Sequence, residues 1–257
     1  LLSGVEAGPN DLAIVQQAML MLSLGFGFYI SVFPFYAWGP MLADETGPLL
    51  LTFVMLAFPF FGLVLGLDFI DRYSWLRNSL TLYPALKAIG GITFLTGSLW
   101  AVFERNTNRF IAYIIAATTG FSMLLLSMGH NKETVNLFLY AQICTVLVIM
   151  TLATSIALMQ GKTGNNNWVE WKGLGRRFPF LSSAAIVSVL SLCGIPLMAH
   201  FPVRNMLLAN LVVFEPVWWM VLIASTTLLI SAFRWLAIFF SSERLPAGIE
   251  SETSTEK

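Results

Sequence analysis

Long apolar runs separated by short polar segments dominate the chain. They predict about eight helical segments, at residues 12–38, 49–69, 79–103, 109–129, 135–159, 179–199, 203–214 and 217–240. Most of them reach the roughly 20 residues that a membrane-spanning helix needs. The run at 203–214 is too short to span as a straight helix, and we interpret it as half of a discontinuous helix near Pro202. The pattern predicts an all-α polytopic membrane domain over residues 1–240, followed by a polar, disordered tail at 241–257.

Prolines and glycines interrupt several of these runs. Gly39 and Pro40 are expected to end the first helix, with Asp44 and Glu45 in the loop that follows. Pro59 lies inside the second run and Pro196 breaks the sixth. A proline within a spanning helix frees a backbone carbonyl, which a neighbouring group or water must satisfy. We therefore expect kinked or broken helices.

Composition supports a membrane location. Hydrophobic residues make up 57% of the chain and charged residues only 11%, whereas soluble domains carry about 25% charged residues. The mean hydropathy is +0.76. No charged segment precedes a short apolar core, so a retained signal peptide is not expected. Basic and acidic residues balance at 14 each, so no nucleic-acid partner is expected. As a membrane protein, the chain is expected to contact lipids.

The sequence offers few groups for catalysis or metal binding. Cys144 and Cys193 lie inside apolar runs without disulfide or metal-binding spacing, and we interpret them as buried thiols. There is no glycine-rich phosphate loop, cysteine cluster or Ser/His/Asp set. We therefore expect no catalytic residue, metal or cofactor in the chain itself, whether flavin, iron–sulfur cluster or nucleotide.

Three short motifs, in order along the chain, carry a resemblance to a known family. Residues 27–40 (GFYISVFPFYAWGP) are similar to G-F-K-x-S-x-x-P-F-H-x-W-x-P. Residues 108–113 (NRFIAY) with Gly120 are similar to K-R-x-x-A-Y-S-S-x-x-x-x-G. Residues 172–179 (KGLGRRFP) and 190–196 (LSLCGIP) are similar to G-L-G-R-R-x-P followed by L-S-L-A-G-I-P-P-x-x-G-F-x-G-K. Together they resemble the antiporter-like subunits of respiratory complex I, nearest to the N-type subunit, and the related Mrp-type antiporters.

The resemblance covers residues 12–240 and implies a specific architecture. The chain would correspond to the seventh through thirteenth helices of a 14-helix subunit, which is its C-terminal half. In this family two inverted five-helix repeats each supply half of a proton path. The resemblance therefore implies a non-redox subunit of an NADH–quinone oxidoreductase-type complex, with other membrane subunits as partners. Its membrane would be a bacterial inner, thylakoid or mitochondrial inner membrane.

The chain departs from the family where the proton-carrying side chains are expected. The family lysine of the first motif is Tyr29, and the histidine is Tyr36. The eighth-helix lysine falls at Phe58 or Pro59, and the lysine of the third motif is Arg204. Family proton transfer depends on buried lysines whose pKa is tuned, whereas arginine stays protonated. We expect a mainly structural subunit that keeps the scaffold without the lysine relay.

The alternative hypothesis is that proton or cation translocation is retained, alone or with a separate chain that supplies the missing N-terminal helices. Its ion-path candidates are Lys87, His200, Arg204 and Arg234. Lys87 lies near the middle of an apolar run, where it either conducts, reaches an interface or pairs with a carboxylate of a neighbouring helix. His200 and Arg204 flank a helix break, as a remnant ion site or a structural tie. For Arg234 we expect a structural ion pair.

Overall fold

The computed structural model describes residues 9–73, 81–129 and 131–241, which are nearly all helical. Within these residues there is no β-strand, and three short 3-10 turns lie at Phe35–Ala37, Trp168–Trp171 and Leu174–Arg176. The α-helices are α1 (Pro9–Ile30), α2 (Trp38–Glu45), α3 (Pro48–Arg72), α4 (Leu82–Phe103), α5 (Thr107–Leu126), α6 (Lys132–Thr163), α7 (Pro179–Leu192), α8 (Phe201–Asn210) and α9 (Pro216–Phe239).

Among the described residues, six stretches are long and apolar enough to cross a membrane. They are Leu20–Glu45, which joins the second half of α1 to α2, and the helices α3, α4, α5, α6 and α9. α7 is a shorter apolar helix, and α8 follows it as a half-length helix. The predicted all-α polytopic fold with discontinuous helices is confirmed. The predicted tail lies, apart from Ser241, outside the described residues.

Helix α5 lies at the centre of the bundle. Every residue from 110 to 126 except Tyr113 is buried. Its sequence is mainly apolar and its residues are buried on every side, which is typical of a helix surrounded by others. The side chain of Asn106 begins α5 by accepting hydrogen bonds from the amides of Asn108 and Arg109. Helices α2, α3, α4 and α6 all pack against α5.

Glycines bring α4 and α5 into close contact. A Cβ atom added to Gly97 would lie 2.7 Å from the Ala117 amide nitrogen. One added to Gly90 would lie 2.9 Å from the Gly120 carbonyl oxygen. Small residues at such crossings allow backbones to approach, which is how helices associate in membranes.

The first apolar run breaks after Ile30 and not at Gly39 and Pro40. α1 ends at Ile30, and Ser31 has a φ of 62°. Gly39 and Pro40, expected to end the first helix, lie instead in the first turn of α2, where proline loses no helical hydrogen bond. Asp44 and Glu45, expected in a loop, are the last residues of α2.

The two other prolines behave differently from each other. Pro59 is buried inside α3, which continues to Arg72. The break expected at Pro196 comes earlier, because α7 ends at Leu192 and Gly194 adopts a φ of 68°. A left-handed residue just after a helix is the usual termination, and glycine adopts it without steric cost.

Candidate functional site at two broken helices

The break between α1 and α2 is held by hydrogen bonds. The Trp38 indole N–H donates to the Ser31 hydroxyl at 3.1 Å. The Phe33 amide donates to the Thr93 hydroxyl of α4 at 3.0 Å. Tyr36, at the family histidine position, is buried within the 3-10 turn. The loop between the two helices is therefore fixed to the bundle.

An aromatic pair occupies the position next to this break. Tyr29 lies in the last turn of α1, and its ring meets Phe58 of α3 edge-on, with 5.6 Å between centroids and 75° between planes. Gly62 makes room for the ring, since a Cβ there would lie 2.8 Å from Tyr29 Cδ1. Tyr29 thus contacts Phe58, one of the two positions at which the family's eighth-helix lysine falls. The other position, Pro59, is buried.

The second break lies between α7 and α8. Gly194 and Leu197 both have positive φ, and α8 begins directly after His200. His200 is 2% exposed, and its Nε2 lies 2.9 Å from the Thr145 hydroxyl of α6. The opposite ring nitrogen, Nδ1, has no hydrogen-bond partner among the described residues.

Arg204 fixes the end of α7. The side chain is buried, and its guanidinium donates hydrogen bonds to the Cys193 carbonyl and, at 2.9 Å, to the Leu192 carbonyl. Carbonyls at the end of a helix have no helical donor and carry partial negative charge, so a cation is favoured there. The guanidinium carbon also lies 5.4 Å from the Phe94 ring centroid and 5.5 Å from that of Phe121. Arg204 thus caps α7 from the next helix along the chain, α8.

A group of polar side chains approaches this second break from α5 and α6. The Ser122 hydroxyl lies 3.3 Å from the Gln142 amide oxygen. Gln142 and Thr145 lie one turn apart on α6, and both line a small cleft of about 20 Å³ together with Pro59. The sequence prediction did not include these residues. Polar residues three apart inside an apolar run were the available signal.

Lys87 is not isolated in the middle of a span. α4 begins at Leu82, so Lys87 lies in its second turn, and its ammonium forms an ion pair with Glu215 directly before α9. The side chains of Lys87 and Glu215 are 26% and 37% exposed. The position expected near the middle was wrong because the helix begins later than its apolar run. Of the alternatives considered, pairing with a carboxylate is the one the structure shows.

Arg234 contacts an aromatic ring, and the expected ion pair was wrong. Its guanidinium carbon lies 4.3 Å from the Trp168 ring centroid, and no described carboxylate is in ion-pair range. The loop after α6 folds back over the end of α9, where the Gly173 amide donates to the Ile238 carbonyl at 2.9 Å. This fold-back brings Trp168 to Arg234, and the two side chains form a cation–π contact.

The structure brings together only two of the four ion-path candidates. His200 and Arg204 lie at one helix break, beside Phe94 in the middle of α4. Lys87 and Arg234 lie towards opposite ends of the adjacent helices α4 and α9. Among the described residues, no three His, Cys, Asp or Glu side chains form a group able to hold a metal ion.

Comparison with known proteins agrees with this geometry. The transmembrane family described as NADH:quinone oxidoreductase/Mrp antiporter, TM, matches residues 3–231. The chain belongs to this family. The family predicted from the three motifs is therefore confirmed, and so is the integral membrane location.

Similar members of the family are longer than this chain. NADH-quinone oxidoreductase subunit N 2 of Acidobacterium capsulatum is 26% identical over 241 residues, which cover 90% of this chain and 48% of that protein. Subunit N 2 of Herpetosiphon aurantiacus is 27% identical over 258 residues, covering 91% and 46%. The chain thus spans about half the length of the curated relatives it matches.

Solved structures share the fold of this family member. One is from the Mrp complex of Dietzia sp., with a TM-score of 0.77, 18% identity, and coverage of 95% of this chain and 45% of that chain. Another is from respiratory complex I of Thermus thermophilus with bound NADH, with a TM-score of 0.67, 20% identity, and coverage of 90% and 49%. A third, from an archaeal membrane-bound sulfane sulfur reductase, has a TM-score of 0.76, 22% identity, and coverage of 87% and 47%.

Proposed function

We propose that this chain belongs to a divergent antiporter-like subunit of a complex I-like, quinone-linked membrane complex, where its role is mainly structural. The subunit N relatives and the membrane complexes that contain the similar structures support this assignment. Redox chemistry then belongs to other subunits. The chain's partners are other membrane subunits and lipids, within an energy-coupling membrane.

The contact between Tyr29 and Phe58 is the observation that carries the structural role. The resemblance places a family lysine at Tyr29 and another at Phe58 or Pro59, and none of these side chains exchanges protons near neutral pH as a tuned lysine does. The two rings pack against each other over Gly62. Aromatic packing thus occupies the position of the relay.

The third lysine position supports the same conclusion. Arg204 keeps its proton, and its guanidinium is held by the two carbonyls that end α7. A side chain anchored in this way stabilises a broken helix. It does not alternate between protonated and deprotonated states.

Retained translocation of protons or another cation is the second hypothesis. Its support is the group of polar side chains Ser122, Gln142 and Thr145, which leads to His200 at the break. His200 and Arg204 would then act with Lys87 and Arg234 in place of the lysines. A separate chain supplying N-terminal helices would complete the path.

Proton translocation by the native assembly in proteoliposomes separates the two hypotheses. We compare the number of protons moved per quinone reduced for the unaltered assembly, Lys87→Met and Arg204→Met. Lys162→Met, which removes an exposed charge at the end of α6, is the matched control. The structural hypothesis predicts unchanged coupling in every intact assembly. Loss of translocation in Lys87→Met or Arg204→Met, with subunit composition preserved and Lys162→Met normal, would establish the second hypothesis instead.

A further inference from the structure

The break between α7 and α8 contains an unusual group of buried polar atoms. Ser191 Oγ, His200 Nδ1 and Arg204 Nε have no hydrogen-bond partner among the described residues. The three residues are at most 5% exposed. Buried polar atoms are normally hydrogen-bonded, and each one left unpaired costs about 1–3 kcal/mol. Three of them within 14 residues of one helix break form a place where a small ligand or an internal water would be held.

The electrostatic balance at this break indicates the sign of the ligand's charge. Arg204 carries a full positive charge beside Phe94, halfway along α4, and no described carboxylate is within ion-pair distance. Two carbonyl dipoles and two aromatic rings compensate it only in part. Because Arg204 is 5% exposed and His200 is 2% exposed, a carboxylate on a partner subunit has no route to them. The missing counter-charge must belong to something small enough to be enclosed.

Hydrogen-bond donors predominate among the unpaired atoms. Within the described part of the chain, the Thr145 hydroxyl makes one hydrogen bond, to His200 Nε2. A buried hydroxyl normally donates its proton to an acceptor, and Nε2 is the one within reach. The imidazole Nε2 therefore accepts that bond, which places the ring proton on Nδ1 as a free donor. Arg204 Nε is a second free donor, and Ser191 has a hydroxyl that is able to donate a third. Donors beside an uncompensated cation are the chemistry of an anion site.

We propose that the α7–α8 break binds a small monovalent anion of the halide class, such as chloride, through Arg204 Nε and His200 Nδ1. His200 precedes α8 directly and Arg204 follows it four residues later, a spacing that makes side chains neighbours on a helix, so we place both donors at one site. The absent side chain of Gly194 is required here, since a Cβ would lie 2.9 Å from Arg204 Nε. The anion neutralises the buried arginine and joins the two halves of the broken helix. This binding is independent of whether the chain takes part in proton translocation.

Hydrogen–deuterium exchange of the native assembly tests the proposal at the break itself. Exchange of the backbone amides in peptides spanning residues 191–204 is followed at constant ionic strength while gluconate, which is too large to be enclosed, is replaced by chloride or bromide. Chloride at ten times its dissociation constant is expected to slow exchange about tenfold. A ligand that binds only the folded break lowers the equilibrium constant for local opening by a factor of one plus the ratio of the ligand concentration to Kd. Bromide should act like chloride. Equal exchange in chloride and gluconate would overturn the proposal and assign the donors to internal water.

Two substitutions locate the effect. Arg204→Lys preserves the positive charge and should retain a halide response, whereas Arg204→Met should remove it. Arg234→Met, which removes a cation that contacts the Trp168 ring, is the control and should respond as the unaltered assembly does. A full halide response in Arg204→Met would place the anion elsewhere and refute the site. If Arg204→Met does not assemble, His200→Phe removes the second donor, and an undiminished response there contradicts the proposal in the same way.

Discussion

The ring of Tyr29 packs edge-on against Phe58, with 5.6 Å between their centroids. This contact joins the last turn of α1, directly before the first break, to α3. Gly62 lies beneath the Tyr29 ring and leaves the space that it fills. The broken helix is therefore held at this point by aromatic packing, at positions where the family resemblance places charged side chains.

Replacing Tyr29 by lysine should destabilise the protein and should not create a proton relay. A lysine there faces Phe58 without a carboxylate, and a charge within a spanning segment costs up to about 3 kcal/mol. Tyr29→Phe keeps the ring and should change the free energy of unfolding by less than about 0.5 kcal/mol. Unfolding of the solubilised assembly measures both variants. A lysine variant as stable as the unaltered protein, with more protons moved per quinone, would show that the relay is recoverable.

The close contact between α4 and α5 at Gly120 predicts how two glycine substitutions change the free energy of unfolding. Gly120→Ala places a methyl group against the backbone of Phe94 and should destabilise by about 1–3 kcal/mol or more. Gly66→Ala is the matched control, because a Cβ there meets nothing within 4 Å inside helix α3. It should be neutral or stabilise by up to about 1 kcal/mol. Equal effects of both substitutions on the free energy of unfolding would contradict the close packing.

The helices could be predicted from the sequence better than the points at which they break. An apolar run of about 20 residues is a strong signal, because a bilayer permits few other structures. The first break was misplaced because Ser31 adopts a positive φ, which a serine gives no reason to expect, while Pro40 lies where a helix tolerates it. At the second break, α7 ends at Leu192 because Gly194 adopts a positive φ, so the helix stops before it reaches Pro196.

The partners of the charged residues could not be predicted. Lys87 meets Glu215 across 128 positions of sequence, and Arg234 meets Trp168 only because a loop folds back over α9. Such pairs depend on which helices are neighbours, and local patterns carry no information about that. The motif resemblance located Arg204 correctly at a helix break, but its bonds to the carbonyls of α7 are a tertiary feature.

Asn108 should matter more to stability than its charged neighbour Arg109. Asn108 is 2% exposed, donates to the carbonyls of Ala43 and Thr46, and accepts from Gln160 at 2.7 Å. Asn108→Ala leaves these buried groups unpaired and should cost at least about 2 kcal/mol. The Arg109 side chain, 43% exposed and paired with Asp44, should cost less than about 1 kcal/mol when replaced by alanine. Unfolding measurements that reverse this order would show that the ion pair, and not the amide network, joins α2 to α5.

The ion pair between Lys87 and Glu215 predicts non-additive substitutions. Lys87→Met leaves a half-exposed carboxylate without its partner, Glu215→Gln leaves the ammonium, and the double variant leaves neither charge. Because both side chains are partly exposed, the coupling free energy from a double-mutant cycle should be about 0.5–1 kcal/mol. Proton translocation should be the same in all four proteins, since a pair fixed at the ends of α4 and α9 ties two helices together. Additive free energies of unfolding would contradict the pairing. A translocation defect in Lys87→Met that the double variant reverses would make the pair part of an ion path.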